Sequence, residues 1–167
     1  TLPMVMRLFD RGILTMDSKL SEMLPEYQNS NKKDVDLKHL LSHYARLKAW
    51  IPFYVKTLDT VTGGPSIDYY SRKPEGDFSI KVAENMYMRK DYRDSIFGEI
   101  RESELRDRLG YKYSDLPFYI LKKYLEEFYG TPLDNLVQRD LYESLGATHT
   151  TYLPLEKFPL NSIPPTE

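Results

Sequence analysis

The sequence predicts a mainly helical fold, with at most a short strand or hairpin near residues 78–88. Three observations carry this. Apolar residues recur at helical spacing in several segments, most plainly Leu116, Ile120, Tyr124 and Phe128 beside Leu121 and Leu125. These segments are bracketed by capping residues before them and Gly or Pro after them. Strict two-residue alternation occurs in one run, Phe78, Ile80 and Val82 against Ser79, Lys81 and Ala83.

Taken in order, Leu2 to Phe9 reads as helical, with Gly12 placed to end it. Asp17 or Ser18 can cap a short second helix carrying Leu20, Met23 and Leu24, which Pro25 stops. Asn29 to Lys33 is a polar loop. Asp36 caps a helix through Leu37, Leu40 and Leu41, ending near His43. Pro52 excludes a long helix through the aromatic stretch Trp50 to Tyr54. Residues 60–76, rich in Gly, Pro and small polar residues, read as an irregular loop. Asp91 is expected to cap a helix from Tyr92 to about Leu105. Ser114 caps the next, with Pro117 in its first turn and Gly130 at its end. Thr131-Pro132-Leu133-Asp134 resembles a capping box for a last helix that Gly146 terminates.

The 167 residues make one partial domain, 1–167, whose two ends read as cuts within a longer protein. The first residues, Leu2 to Leu14, are not a signal peptide, because Arg7, Asp10 and Arg11 interrupt the apolar run. A composition of 41% hydrophobic and 29% charged residues is that of an ordinary globular chain. The net charge of -2, with Lys and Arg scattered, argues against a nucleic-acid partner. No apolar run approaches the ~20 residues of a membrane span. The absence of Cys removes thiol chemistry and thiolate metal sites.

Few groupings could carry chemistry. His39 and His43 share a helix face, but position 40 is Leu where a zinc protease needs Glu. They read as one core and one surface His, and no metal or other cofactor is expected. Gly63-Gly64 lacks the Lys-Ser or Lys-Thr of a phosphate loop. Ser30 to Lys33 is a literal Ser-x-x-Lys, the pair that lets an amine take a serine proton. It lies in the polar loop, without a helix to hold it. Tyr113-Ser114-Asp115 places a Tyr just before a helix start, where the dipole favours a phenolate that could act as base. One Tyr among 14 is also ordinary packing.

Four segments carry a family resemblance. Val35 to Leu47, with Leu40-Leu41-Ser42-His43 at its centre, resembles the Leu-Leu-x-His-x-Ser-Gly-Leu segment of β-lactamase-related serine hydrolases. Met6 to Tyr27 is similar to the stretch after their nucleophile helix. Tyr111 to Leu121 resembles their Tyr-x-Asn motif and the helix after it. Thr131-Pro132-Leu133-Asp134 and Leu145 to Thr150 resemble the end of that region. The subgroup most resembled is the serine-hydrolase domain that follows a family 3 glycoside hydrolase, a β-N-acetylhexosaminidase type of partner, in some Bacteroidetes-type proteins. The runs Lys90 to Ser95 and Pro154 to Pro159 suggest it.

The resemblance implies the helical lobe of a β-lactamase/transpeptidase-like α/β fold. It implies a parent that cleaves an amide or ester through an acyl-enzyme, periplasmic or secreted. Tyr113 occupies the catalytic Tyr and Asp115 the Asn, with Trp50 and Tyr54 as a substrate wall. The nucleophilic Ser and its Lys would lie before Thr1, so the chain alone would be inactive. Asp at 115 cannot donate a hydrogen bond when ionised, which weakens β-lactam recognition. At Ala45-Arg46-Leu47 the usual Ser-Gly-Leu is lost, so a different turn is expected. The partners implied are the remainder of the hydrolase domain and a small amide or ester substrate. A homodimer through an exposed apolar face is a further expectation. The competing reading is a non-catalytic helical module that binds a carbohydrate or a partner domain through its aromatic surface.

Overall fold

The computed structural model describes residues 1–164. The last element among these residues is a 3₁₀ turn at Leu160–Ser162. The chain divides into two compact units, Thr1–Thr15 with Leu121–Glu167, and Met16–Ile120.

In the first unit, α1 (Leu2–Asp10) buries Met4, Val5 and Leu8. Gly12 takes a left-handed φ of 67° and donates to the Phe9 carbonyl at 2.8 Å, closing the helix as its position predicts. Residues from Leu121 onward in α5 (Leu116–Tyr129) bury Leu121 and Leu125. The last helix, α6 (Leu133–Val137), buries Leu133, Leu136 and Val137 and runs on into a π turn at Gln138–Tyr142. Thr131 does not cap it. The Leu133 N–H instead donates to Glu126 Oε1 at 2.9 Å, so a carboxylate seven residues upstream satisfies the helix start.

The second unit holds α2 (Leu20–Met23), α3 (Leu37–Leu41), α4 (Lys90–Glu102) and the strands. Its buried side chains include Leu20, Leu24, Tyr27, Leu37, Leu40, Ile100, Leu116 and Ile120. The α2 start falls one residue later than Ser18 and two later than Asp17 would place it, with Lys19 at the cap position. Glu22 reaches back to accept from the Lys19 N–H at 2.9 Å. Asp36 caps α3 as expected, accepting from the His39 N–H at 2.8 Å. A 3₁₀ turn at Phe53–Thr57 replaces the long helix that Pro52 forbids. At α4 the expected start at Tyr92 is corrected to Lys90, because Asp91 pairs with Arg89 rather than with the backbone ahead of it.

The mainly helical assignment is itself corrected. Helix accounts for 42% and strand for 10%, and the fold has α/β character. Three antiparallel strands, β1 (Tyr70–Ser71), β2 (Phe78–Ala83) and β3 (Met86–Arg89), form a sheet in the order β1-β3-β2. Glu84 and Asn85 turn the hairpin, with Asn85 at a φ of 51°, a conformation Asn tolerates. The third strand comes from the stretch read as loop: Tyr70 pairs with Met88 and Ser71 with Tyr87. Two residues are too few to show alternation, so only the partner strand defines β1.

Candidate active site

Tyr113 and Asp115 stand at the start of α5, within the second unit. Ser114 between them is buried, while both neighbours are exposed. The Ser114 hydroxyl accepts from the Leu116 N–H at 3.2 Å and donates to the Lys48 carbonyl at 2.6 Å. It therefore caps the helix, as its position predicts, and also ties the helix start to the 43–48 loop. With Ser114 facing inward, Tyr113 and Asp115 face outward on the same side of it. The Tyr113 hydroxyl donates to Asp115 Oδ1 at 2.9 Å.

That bond reverses the charge state read from sequence. The Asp115 carboxylate, as hydrogen-bond acceptor and as a nearby negative charge, raises the Tyr113 phenol above its usual value. Tyr113 is 55% exposed, so solvent screens much of this effect. The direction still opposes a phenolate. As it stands, the pair is a neutral phenol donating to a carboxylate.

The Tyr113 ring is not isolated. The His43 imidazole lies 4.6 Å from it, centroid to centroid, tilted by 43°. Sequence reasoning weighed His43 with His39 as a ligand pair and as the His of the resembled Leu-Leu-x-His segment, without assigning it a role beside Tyr113. His39 is exposed, its Nδ1 2.6 Å from Asp36 Oδ1, while His43 lies beyond the end of α3 at a φ of 62°. Among the described residues, no three His, Cys, Asp or Glu side chains converge on a metal position. Arg46, where the resembled family has Gly, has a φ of 59°, the left-handed region that Gly favours. The turn expected to differ therefore keeps a glycine-like backbone with an Arg in it.

Ser30 and Lys33 do not form a nucleophile pair. The Ser30 hydroxyl donates to the Arg101 carbonyl at 3.0 Å, and Lys33 meets Ser30 through the backbone, N–H to carbonyl at 3.1 Å. The neighbouring Lys32, unremarkable in the sequence, is fully buried. Its ammonium donates to Asn31 Oδ1 at 2.8 Å, to the Arg101 carbonyl at 3.0 Å and to the Ser103 carbonyl. Burial lowers its pKa to about 8, opposed by the nearby Glu104 carboxylate. A groove of about 460 Å³ beside it is lined by Glu26, Ser30, Asn31 and Arg101, and a second of about 420 Å³ by Lys56, Tyr69, Arg89 and Tyr92. Neither is lined by Tyr113 or Asp115. Trp50 and Tyr54, the expected substrate wall, are 58% and 57% exposed.

Comparison with known proteins follows the same lines. The family model described as Beta-lactamase matches residues 3–161. The chain is 26% identical over 159 residues to the N-acetylmuramyl-L-alanine amidase of Bacillus subtilis (strain 168), covering 90% of this chain and 30% of that protein. Among solved structures it is similar to a beta-lactamase-like protein from Bacteroides dorei DSM 17855, at a TM-score of 0.59 and 21% identity, covering 90% of this chain and 37% of that one. It is similar too to a class C beta lactamase from Rhodobacter sphaeroides, at a TM-score of 0.53 and 16% identity, over 86% and 31% of the two chains. A penicillin-binding protein homologue from Caulobacter crescentus matches at a TM-score of 0.55 and 19% identity, over 86% and 31%. The chain thus spans about a third of the length of these relatives. With its family model matched over most of its length, the chain belongs to the beta-lactamase family of serine hydrolases.

Proposed function

We propose that the chain is part of a serine hydrolase domain that cleaves an amide or ester through an acyl-enzyme, and that it contributes the proton relay. The observation that carries this reading is the exposed Tyr113–Asp115 pair, fixed at a helix start by a buried serine. The name of the Bacillus subtilis relative, an amidase, supports an amide over an ester.

In this reading the nucleophilic Ser and its Lys come from the rest of the domain, because the Ser30 hydroxyl is spent on the Arg101 carbonyl and meets Lys33 only through the backbone. The chain alone is then inactive. The incoming Lys ammonium pairs with Asp115 and offsets the carboxylate that now holds the Tyr113 phenol neutral. Tyr113 hands its proton to the leaving group and takes one back from the serine, which is general acid–base catalysis. Asp115, unable to donate, weakens binding of a carboxylate-bearing substrate such as a β-lactam. Trp50 and Tyr54 supply exposed aromatic surface for the substrate. We place the parent outside the cytoplasm, following a glycoside hydrolase domain, in line with the Lys90 to Ser95 and Pro154 to Pro159 runs.

Acylation of the longer protein by a chromogenic amide tests this. Tyr113→Phe should slow acylation by about 100- to 10,000-fold, the usual range for losing an acid–base group, with substrate binding retained. An unchanged rate would remove Tyr113 from the mechanism.

A further inference from the structure

Two non-glycine residues in the second unit, His43 and Arg46, hold left-handed backbone within four positions of each other, at φ of 62° and 59°. Such conformations are strained for residues other than glycine and persist where the surroundings enforce them. Both are engaged with the segment that ends in Tyr113. The Arg106 N–H donates to the Arg46 carbonyl at 2.8 Å, and Arg46 Nε donates back to the Arg106 carbonyl at 2.6 Å. Six residues on, the Lys112 N–H donates to the His43 carbonyl at 3.0 Å, and the Ser114 N–H reaches His43 Nδ1 at 3.4 Å. The Ser114 hydroxyl then closes onto the Lys48 carbonyl.

We propose that His43 and Arg46 are positioning residues that clamp the 106–114 segment and so set the direction of the Tyr113 hydroxyl toward Asp115. The purpose of the clamp rests on the reading of Tyr113 as a relay; the clamp itself rests on the contacts alone. It works at two points. Arg46 fixes where the segment begins its path, through a two-way bond with one residue. His43 fixes where it ends, through a carbonyl that holds Lys112, a ring nitrogen that takes the Ser114 N–H, and a ring face against Tyr113. Toward Ser114 the ring is used as an acceptor. The Tyr113 phenol is flanked by His43, Tyr111 and Asp115, and among the described residues only Asp115 accepts its proton in a hydrogen bond. Freeing the segment therefore loosens the one bond that Tyr113 makes.

The test is the titration of the Tyr113 phenol in this chain, followed by NMR with ring-labelled tyrosine and assigned with Tyr113→Phe. This readout does not depend on hydrolysis, so it can fail while the hydrolase reading stands, and the reverse. In the unaltered chain Tyr113 should titrate above ~10, the ordinary tyrosine value. In His43→Leu it should fall back toward ~10, with the tyrosines other than Tyr113 and Tyr111, whose ring also meets His43, unmoved. His43→Asn, which tolerates left-handed backbone and keeps an acceptor, should restore the raised midpoint. Arg46→Gly is favoured by its backbone and loses only the Nε bond, so it serves where His43→Leu fails to fold. It too should lower the midpoint. A folded His43→Leu or Arg46→Gly in which Tyr113 titrates as in the unaltered chain would overturn the proposal.

Discussion

Two regions of the second unit carry the residue types of acyl-transfer chemistry, and they differ in where their polar groups are spent. Around Ser30 and Lys32 every described donor ends on an internal oxygen: the hydroxyl on Arg101, the ammonium on Asn31, Arg101 and Ser103. Around Tyr113 the hydroxyl has, among the described residues, one partner, Asp115, and both side chains are exposed. The first arrangement satisfies buried groups that would otherwise destabilise the fold. The second leaves capacity for a substrate or a neighbouring lysine. A sequence motif names the groups but not their partners, so a Ser-x-x-Lys match does not by itself make a nucleophile pair.

The same contrast separates two tyrosines by pH. Tyr27 is 2% exposed, and burial, with Glu26 adding to it, raises its phenol well above the usual value. Because the folded pKa lies above the unfolded one, the stability it contributes is complete below about pH 10 and is lost as pH rises past that point. Unfolding free energy should therefore fall above pH 10, by up to about 1.4 kcal/mol per unit for one such group. Tyr27→Phe should flatten that slope and Tyr113→Phe should leave it nearly unchanged, as urea titrations at several pH values would show. Equal effects would erase the distinction between the regions.

Lys32→Met sharpens the comparison further. It leaves the Arg101 and Ser103 carbonyls without their ammonium and should cost about 2 kcal/mol, seen as a lower urea midpoint. Ser30→Ala loses a smaller set of bonds and should cost about 1 kcal/mol. If Ser30→Ala abolished acylation in the longer protein, the motif would be functional after all.

What could be read from sequence was local. Asp36 and Ser114 announced their helices because a cap acts within three residues. The Phe78–Val82 alternation announced β2. What could not be read depends on distant partners. Lys32 is buried only because the end of α4, about seventy residues on, offers carbonyls to it. Strand β1 exists only through β3, and α6 is capped by Glu126 rather than by the Thr131 beside it. In the site, Tyr113 and Asp115 were proposed from sequence through their resemblance to a motif. The roles of His43 and Arg46 were not, because nothing local shows that an Arg will accept the backbone of a Gly.

The central claim is that this chain supplies the relay and not the nucleophile. Intact mass after incubation with a fluorophosphonate serine probe tests it most directly. The account predicts no adduct on this chain and one adduct on the longer protein. A stoichiometric adduct on this chain, with Ser30 the first serine to map, would contradict it.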